Sequence, residues 1–335
     1  MLTRLAARLD TSGAKRKMRA FREGWPAKTR ADIRFFDTGL TQYRYRERGS
    51  GPAIVFAADP PVTLEMYDAL IDTFAQRFRV IVVELPAMGF SAARASYGFG
   101  FRESADDIAT FLKNVAGGGA ILAFSCAAGM AAVDVAARYP SLVSALALIQ
   151  TTDWEGFQRW RAARDPKKIL ARPFLGQLAM RKMGPQRAPD WFKLATGNRA
   201  MVEPFCACAA ETLEHGAAWS LASAYQRFLR AGPSPVGKPK QPILVLWGKA
   251  DSSHGADAPA RAVDRAVDRG RSRQITPDRA GSRSGWSPLS PTGGTRAGRT
   301  LRSSPRPSQL CLAAAQFPWN DSPTRETRTT GGRQT

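Results

Sequence analysis

Residues 120–129 read Ala-Ile-Leu-Ala-Phe-Ser-Cys-Ala-Ala-Gly, an apolar run that ends on a hydroxyl and a thiol and passes at once into small residues. The pattern predicts a buried strand stopping at Ser125 and a helix over 129–139, closed by Pro140, because proline disfavours helix in the residue before it. A nucleophile at such a strand-to-helix turn stands on strained backbone and needs small residues two places to either side. Ala123 and Ala127 meet that need for Ser125. For Cys126 the same place falls to the bulky Phe124, so the steric argument selects Ser125 as the attacking group. Alanines stand where G-x-S-x-G has glycines, and the alternative is an ordinary buried strand and helix with a serine between them.

A serine hydroxyl needs a proton acceptor, and the chain holds two histidines, His215 and His254. Four cysteines, Cys126, Cys206, Cys208 and Cys311, lack the spacing and histidine partners of a metal site, so no metal or other cofactor is expected. Free thiols fit a reducing, cytoplasmic setting. The net charge of +21 raises nucleic acid or an anionic surface as partner, yet the basic residues are scattered and no nucleic-acid-reading motif accompanies them. No apolar run reaches the length of a membrane span. Leu2, Leu5 and Leu9 recur at helical spacing among Arg and Lys, which reads as a surface helix, with an interfacial anchor or transit peptide as the lesser alternative.

The elements that would carry the site alternate in kind. Strands are expected at 32–36 and 42–46 around the turn Asp37-Thr38-Gly39, then at 53–58, 79–85, 120–125, 143–149 and 241–247. Between them, Tyr67, Leu70, Ile71, Phe74 and Phe78 share one helical face, and a helix capped by Ser104 presents Ile108, Phe111, Leu112 and Val115. Such alternation implies a parallel sheet with helices on both faces, an α/β fold. From 151 to 240 the text turns helical and aromatic, with Trp154, Phe157, Trp160, Trp191 and Phe192 among others. This insert is expected to cover the site and receive an apolar substrate, unless its aromatics simply pack on one another. No lysine follows Lys249, and Arg, Pro, Ser and Gly dominate from about residue 255, which is expected to be mostly disordered. The chain thus divides into a basic segment (1–30), a first core part (31–150), a helical cap (151–240), the last strand with its acid loop (241–254) and a tail (255–335).

With these words in place, residues from about 32 to 251 resemble the α/β-hydrolase family, and within it the capped serine esterases, lipases and haloperoxidase-like members. The matching motifs are Gly51-Pro52-Ala53-Ile54-Val55, then Glu84-Leu85-Pro86-Ala87-Met88-Gly89-Phe90-Ser91, the turn Ala123-Phe124-Ser125-Cys126-Ala127, and Pro242 through Asp251. The resemblance implies that Ser125 forms an acyl-enzyme with a small apolar ester or related acyl substrate, with no specific role for nucleic acid. It also implies that the backbone N–H groups of Cys126 and Asp59 form the oxyanion hole and that Asp251 is the acid that orients the base. Some members carry the acid where Asp153 stands.

The chain departs from that pattern in three places. Ala57-Ala58 replaces the family's His-Gly, Asp59 adds a negative charge beside the hole, and no histidine follows the last strand, since His254 lies on the acid's own loop and His215 in the insert. A catalytically silent, binding version of the fold is therefore the second reading. A slip of the reading frame just after Asp251 is expected to account for the lost histidine. Salt-dependent binding to an anionic partner through the Arg-rich tail is a third reading.

Overall fold

The computed structural model describes residues 1–23, 31–196, 198–248, 251–267 and 272–275. Its frame is one sheet of nine described strands: β1 (Ile33–Asp37), β2 (Thr41–Arg48), β3 (Ala53–Ala57), β4 (Arg79–Glu84), β5 (Ala92–Ala93), β6 (Ala120–Ser125), β7 (Val143–Ile149), β8 (Ile243–Leu246) and β9 (Ser272–Ile275). The spatial order is β1-β2-β4-β3-β6-β7-β8-β9, with the short β5 paired to β2. β1, β2 and β5 pair antiparallel, and β2 meets β4 antiparallel. From β4 across to β9 every pairing is parallel.

The continuous apolar runs sit in the middle because a central parallel strand is covered on both faces. Alternation along β3, β4 and β6 sends Val55, Ile81, Leu122 and Phe124 into one core and Ile54, Val80, Val82, Ile121 and Ala123 into the other. The first core is closed by α3 (Phe101–Phe111) and α4 (Cys126–Arg138), the second by α2 (Asp68–Phe74). The helix expected to begin at Ser104 starts earlier, with Gly100 as its N-cap, and the Glu103 carboxylate reaches back to the Gly98 and Gly100 amides. Ser104 is instead buried inside it, its Oγ taking the Tyr97 hydroxyl proton at 2.8 Å.

Between β7 and β8 the chain forms α5 (Trp154–Arg164), α6 (Leu175–Ala195), α7 (Val202–Glu214) and α8 (Leu221–Arg227). Their aromatics mostly pack on one another or on the core: Trp154 meets Phe101 edge-on, Phe157 stacks on Trp160, Trp160 meets Trp191, and Phe192 lies against Phe205. The N-terminal helix α1 (Leu2–Glu23) lies against α8 and β5, burying Ala6, Ala7, Asp10, Ala14 and Met18.

The disorder expected from about residue 255 gives way at its start. Residues Ala258–Val267 form α9, whose Ala258 and Ala262 cover Val245 and Trp247, and β9 adds a parallel edge beyond β8. Residues 276–335 lie outside the described ones. Among the described residues no helix is long and apolar enough to cross a membrane.

Candidate active site

Parallel strands deliver their carboxyl ends to one edge of the sheet, which is where α/β folds place their ligands. β3, β6 and β8 therefore bring Asp59, the Ser125–Cys126 turn and Asp251 to the same side.

At the turn the backbone corrects the expected position of the kink. Ser125 is extended, with φ −107° and ψ 154°, and the left-handed residue is Cys126, with φ 47°. α4 begins at Cys126 rather than at Gly129 because nothing between them breaks a helix; Ala127 and Ala128 favour one. The steric objection to Cys126 fails as well. The Phe124 ring points into the main core and is fully buried there, so a large residue two places before the left-handed position finds room. Gly129 is required by packing: a Cβ would stand 2.1 Å from Thr151 Oγ1, and Thr151 in turn donates to the Cys126 carbonyl at 3.2 Å.

Ser125 faces the other core and donates its hydroxyl to Asp59 Oδ1 at 2.5 Å. Burial pushes the Asp59 carboxyl above its ordinary range, and the Ser125 hydrogen bond only partly offsets this. The Asp59 N–H, expected to face an oxyanion, donates to the Tyr67 hydroxyl at 2.9 Å and is committed there. The Cys126 N–H heads the first turn of α4, and the Ala127 N–H lies at the Cys126 sulfur. Cys126 is partly exposed at the turn, yet the protein packed around its thiol pushes the pKa up to about 12, the charges of Asp59 and Asp251 adding to the effect.

Asp251 and His254 form a built pair. His254 Nδ1 donates to Asp251 Oδ2 at 2.7 Å, while the Ser253 amide and hydroxyl donate to Oδ1 at 2.8 and 2.6 Å. Burial acts to raise the Asp251 carboxyl, but these bonds win and hold it at about 2. An ionised acceptor at Nδ1 fixes the tautomer and leaves the lone pair of the neutral ring on Nε2. The His254 side chain is 5% exposed, and Nε2 is buried with no protein partner. Its ring stacks on Trp160 of α5 and meets Trp247 edge-on; Trp160 Nε1 is likewise buried and unpartnered. Both atoms thus lie among aromatic rings, where a buried polar group is seldom left unpaired.

The remaining sequence candidates are engaged elsewhere. Asp153 caps α5 through the Gly156 amide and holds Arg261 of α9 in a two-pronged ion pair, at 2.9 and 2.5 Å. His215 ends α7 next to Gly216, which packs on Lys17 of α1. Among the described residues no cluster of metal-ligating side chains occurs. The Trp160–His254 contact left no trace in the sequence, since the two rings come from separate elements.

A family model described as alpha/beta hydrolase fold matches residues 56–262. The match runs on past Asp251 into α9, so the slip of frame expected just after Asp251 is not where the resemblance stops. A 2-(acetamidomethylene)succinate hydrolase from Mesorhizobium japonicum is 31% identical over 118 residues, which span 35% of this chain and 42% of that enzyme. A hydrolase from Pseudomonas aeruginosa superposes with a TM-score of 0.56 at 20% identity, over 74% of this chain and 91% of its own. The enol-lactonase of Burkholderia xenovorans LB400 does so with a TM-score of 0.54 at 16% identity, over 73% and 91%.

Proposed function

Since the chain belongs to the alpha/beta hydrolase family, we propose that it hydrolyses a small apolar ester or related acyl compound through a covalent acyl-enzyme, with Cys126 as the attacking group. The observation that carries this reading is the left-handed backbone at Cys126, at the carboxyl end of a buried parallel strand and the head of a helix. Strained backbone there turns the side chain out toward substrate.

A thiol with a pKa of about 12 holds almost no thiolate at neutral pH, and the thiolate is the nucleophile. Attack therefore has to be coupled to proton removal. His254 supplies the acceptor: Nε2 takes the thiol proton as sulfur bonds to the acyl carbon and the carbonyl electrons move onto oxygen, next to the Ala127 N–H. The leaving group departs with that proton; Nε2 then takes a proton from water as its oxygen bonds to the acyl carbon, the C–S bond breaks, and Nε2 returns the proton to the departing sulfur. Asp251 keeps Nδ1 protonated throughout. Trp160, Trp191 and Trp247 make the surroundings apolar, which favours an apolar acyl group. Helices α5–α8 act as the cap in this reading, and the free thiols of Cys126, Cys206 and Cys208 support a cytoplasmic setting.

A second reading keeps Ser125 as nucleophile, and its bond to Asp59 favours it: a buried carboxyl of raised pKa can draw a proton from the serine it touches. Labelling separates the two. Iodoacetamide should modify Cys126 and stop ester cleavage, and Cys126→Ala should abolish both, whereas Ser125→Ala keeps both. Labelling by a fluorophosphonate that disappears in Ser125→Ala transfers the role to serine. A folded protein that reacts with neither reagent and cleaves no ester is the silent, binding version of the fold.

A further inference from the structure

The outer face of α1 carries a string of large apolar side chains that the fold leaves uncovered. Leu2, Leu5 and Leu9 are 62, 49 and 59% exposed. At 3.6 residues per turn they fall within about 60° of arc, opposite the buried face of Ala7, Ala14 and Met18. Arg4, Arg8, Lys15 and Arg19 occupy the adjoining arc and are exposed, while the single acid between residues 2 and 19, Asp10, is buried.

On its other flank α1 meets α6. Asp10 accepts from Arg181 at 2.6 Å and from Ser223 of α8 at 2.8 Å, and Ser223 accepts from Gln177 of α6. That junction sets the start of α6 alongside α1, and here Phe174, Leu175 and Leu178 are 43, 42 and 50% exposed. A cleft of about 480 Å³ opens at the start of α1 beside Met1, Leu2 and Thr3, with Arg161 of α5, Gln226 of α8 and Arg230 in its wall. Exposed apolar side chains grouped in this way on a soluble face mark a binding surface rather than ordinary surface scatter.

We propose that this face seats the protein on an anionic lipid bilayer, α1 lying in the plane of the headgroups with its leucines entering the acyl boundary. The pairing of chemistries along one helix favours a bilayer over another protein. A leucine ridge of three flanked by a row of cations with no exposed acid is the arrangement that combines apolar insertion with attraction to anionic headgroups. The Arg-walled cleft beside Met1 is of a size to take a headgroup phosphate, and the net charge of +21 draws the whole molecule to such a surface.

The test is sedimentation of the full-length chain with vesicles of phosphatidylcholine alone and of phosphatidylcholine mixed equally with phosphatidylglycerol. The protein should pellet with the mixed vesicles and not with the neutral ones, and the triple variant Leu2→Ser, Leu5→Ser, Leu9→Ser should bind roughly tenfold more weakly or worse. Replacing Arg4, Arg8 and Lys15 with Gln should weaken binding and flatten its salt dependence. Unchanged helical circular dichroism in both variants shows that the fold has survived; these positions are outside the proposed catalytic groups, so ester cleavage in solution is expected to be unaffected. Failure to pellet with the mixed vesicles overturns the proposal, as does pelleting that the leucine variant leaves intact, which would assign the attraction to charge elsewhere in the chain. A wild-type dimer that this variant converts to monomer, without vesicle binding, would give the face to a second copy instead.

Discussion

Asp59 and Asp251 arrive at the same edge of the sheet, and both charges bear on the Cys126 thiol, yet they are held in opposite ways. At Asp59, at the end of β3, burial prevails over one hydroxyl donor and the carboxyl is pushed up. At Asp251, after β8, three donors from Ser253 and His254 prevail over burial and the carboxyl is drawn down to about 2. The number of donors, and not depth alone, decides which way each carboxyl is shifted. Asp251 is also the one that stands behind an imidazole. The β8 side thus holds its acid against an imidazole, and the β3 side holds its acid against the hydroxyl of the turn.

The sharpest way to break that contrast is to neutralise each acid in turn. Asp251→Asn should lower kcat on an activated ester by on the order of a thousandfold or more, because the imidazole loses the partner that sets its tautomer. Asp59→Asn should lose less than about tenfold, as a structural change near a site commonly does. Equal losses would place Asp59, and with it Ser125, in the chemistry.

Stability against pH sharpens the contrast next. The folded Asp251 carboxyl is depressed, so its contribution is complete above the ordinary carboxylate value and is lost as pH falls from about 4 toward 2. Allowing for solvent screening, that amounts to about 1–2 kcal/mol. The folded Asp59 carboxyl is raised, so its sign is reversed: stability falls as pH climbs past the ordinary value. Urea midpoints from pH 2 to 7 should show Asp251→Asn approaching wild type at the acid end, and Asp59→Asn at least as stable as wild type at pH 7. An Asp59→Asn variant weaker than wild type at pH 7 would mean that the Ser125 bond outweighs burial.

The smallest effect expected is on the thiol. Removing the Asp59 charge takes away one of the influences that raise the Cys126 pKa, so iodoacetamide at pH 8 should react roughly two- to fivefold faster with Asp59→Asn. An unchanged rate would leave burial as the whole cause.

Much of the frame was legible because it rests on long apolar runs. Strands at 120–125 and 143–149 end where the sequence analysis placed them, bounded by Gly119 and by the polar Gln150-Thr151. β9 was not legible: Ser-Arg-Gln-Ile holds one apolar residue, and it becomes a strand because β8 offers an open parallel edge. α9 escaped notice for a similar reason, since Ala258 and Ala262 are small and Arg261 is tied to Asp153 of a distant element. At the site, the positions of the turn and of Asp251 could be read from the sequence, but the residue that takes the strain could not. That depended on whether Phe124 had a core to enter, which is a property of β3 and α3 rather than of the turn. His254 stacks on Trp160 only because α5 comes to it from elsewhere in the chain, and it meets Asp251 and Ser253 only because their shared loop folds back on itself.

The position of β9 has a consequence for how long the site stays assembled. The loop bearing Asp251 and His254 leaves β8, and among the described residues only the four of β9 close the sheet beyond it. Parts of a protein with few neighbours open and reclose far more often than the whole molecule unfolds. Amides of β8 and β9 should therefore exchange with deuterium well before those of β3 and β6, and each such opening withdraws the acid and the imidazole from a turn that remains in place. Heat would then part that loop from the turn below the melting temperature, by fraying one margin of an otherwise intact molecule.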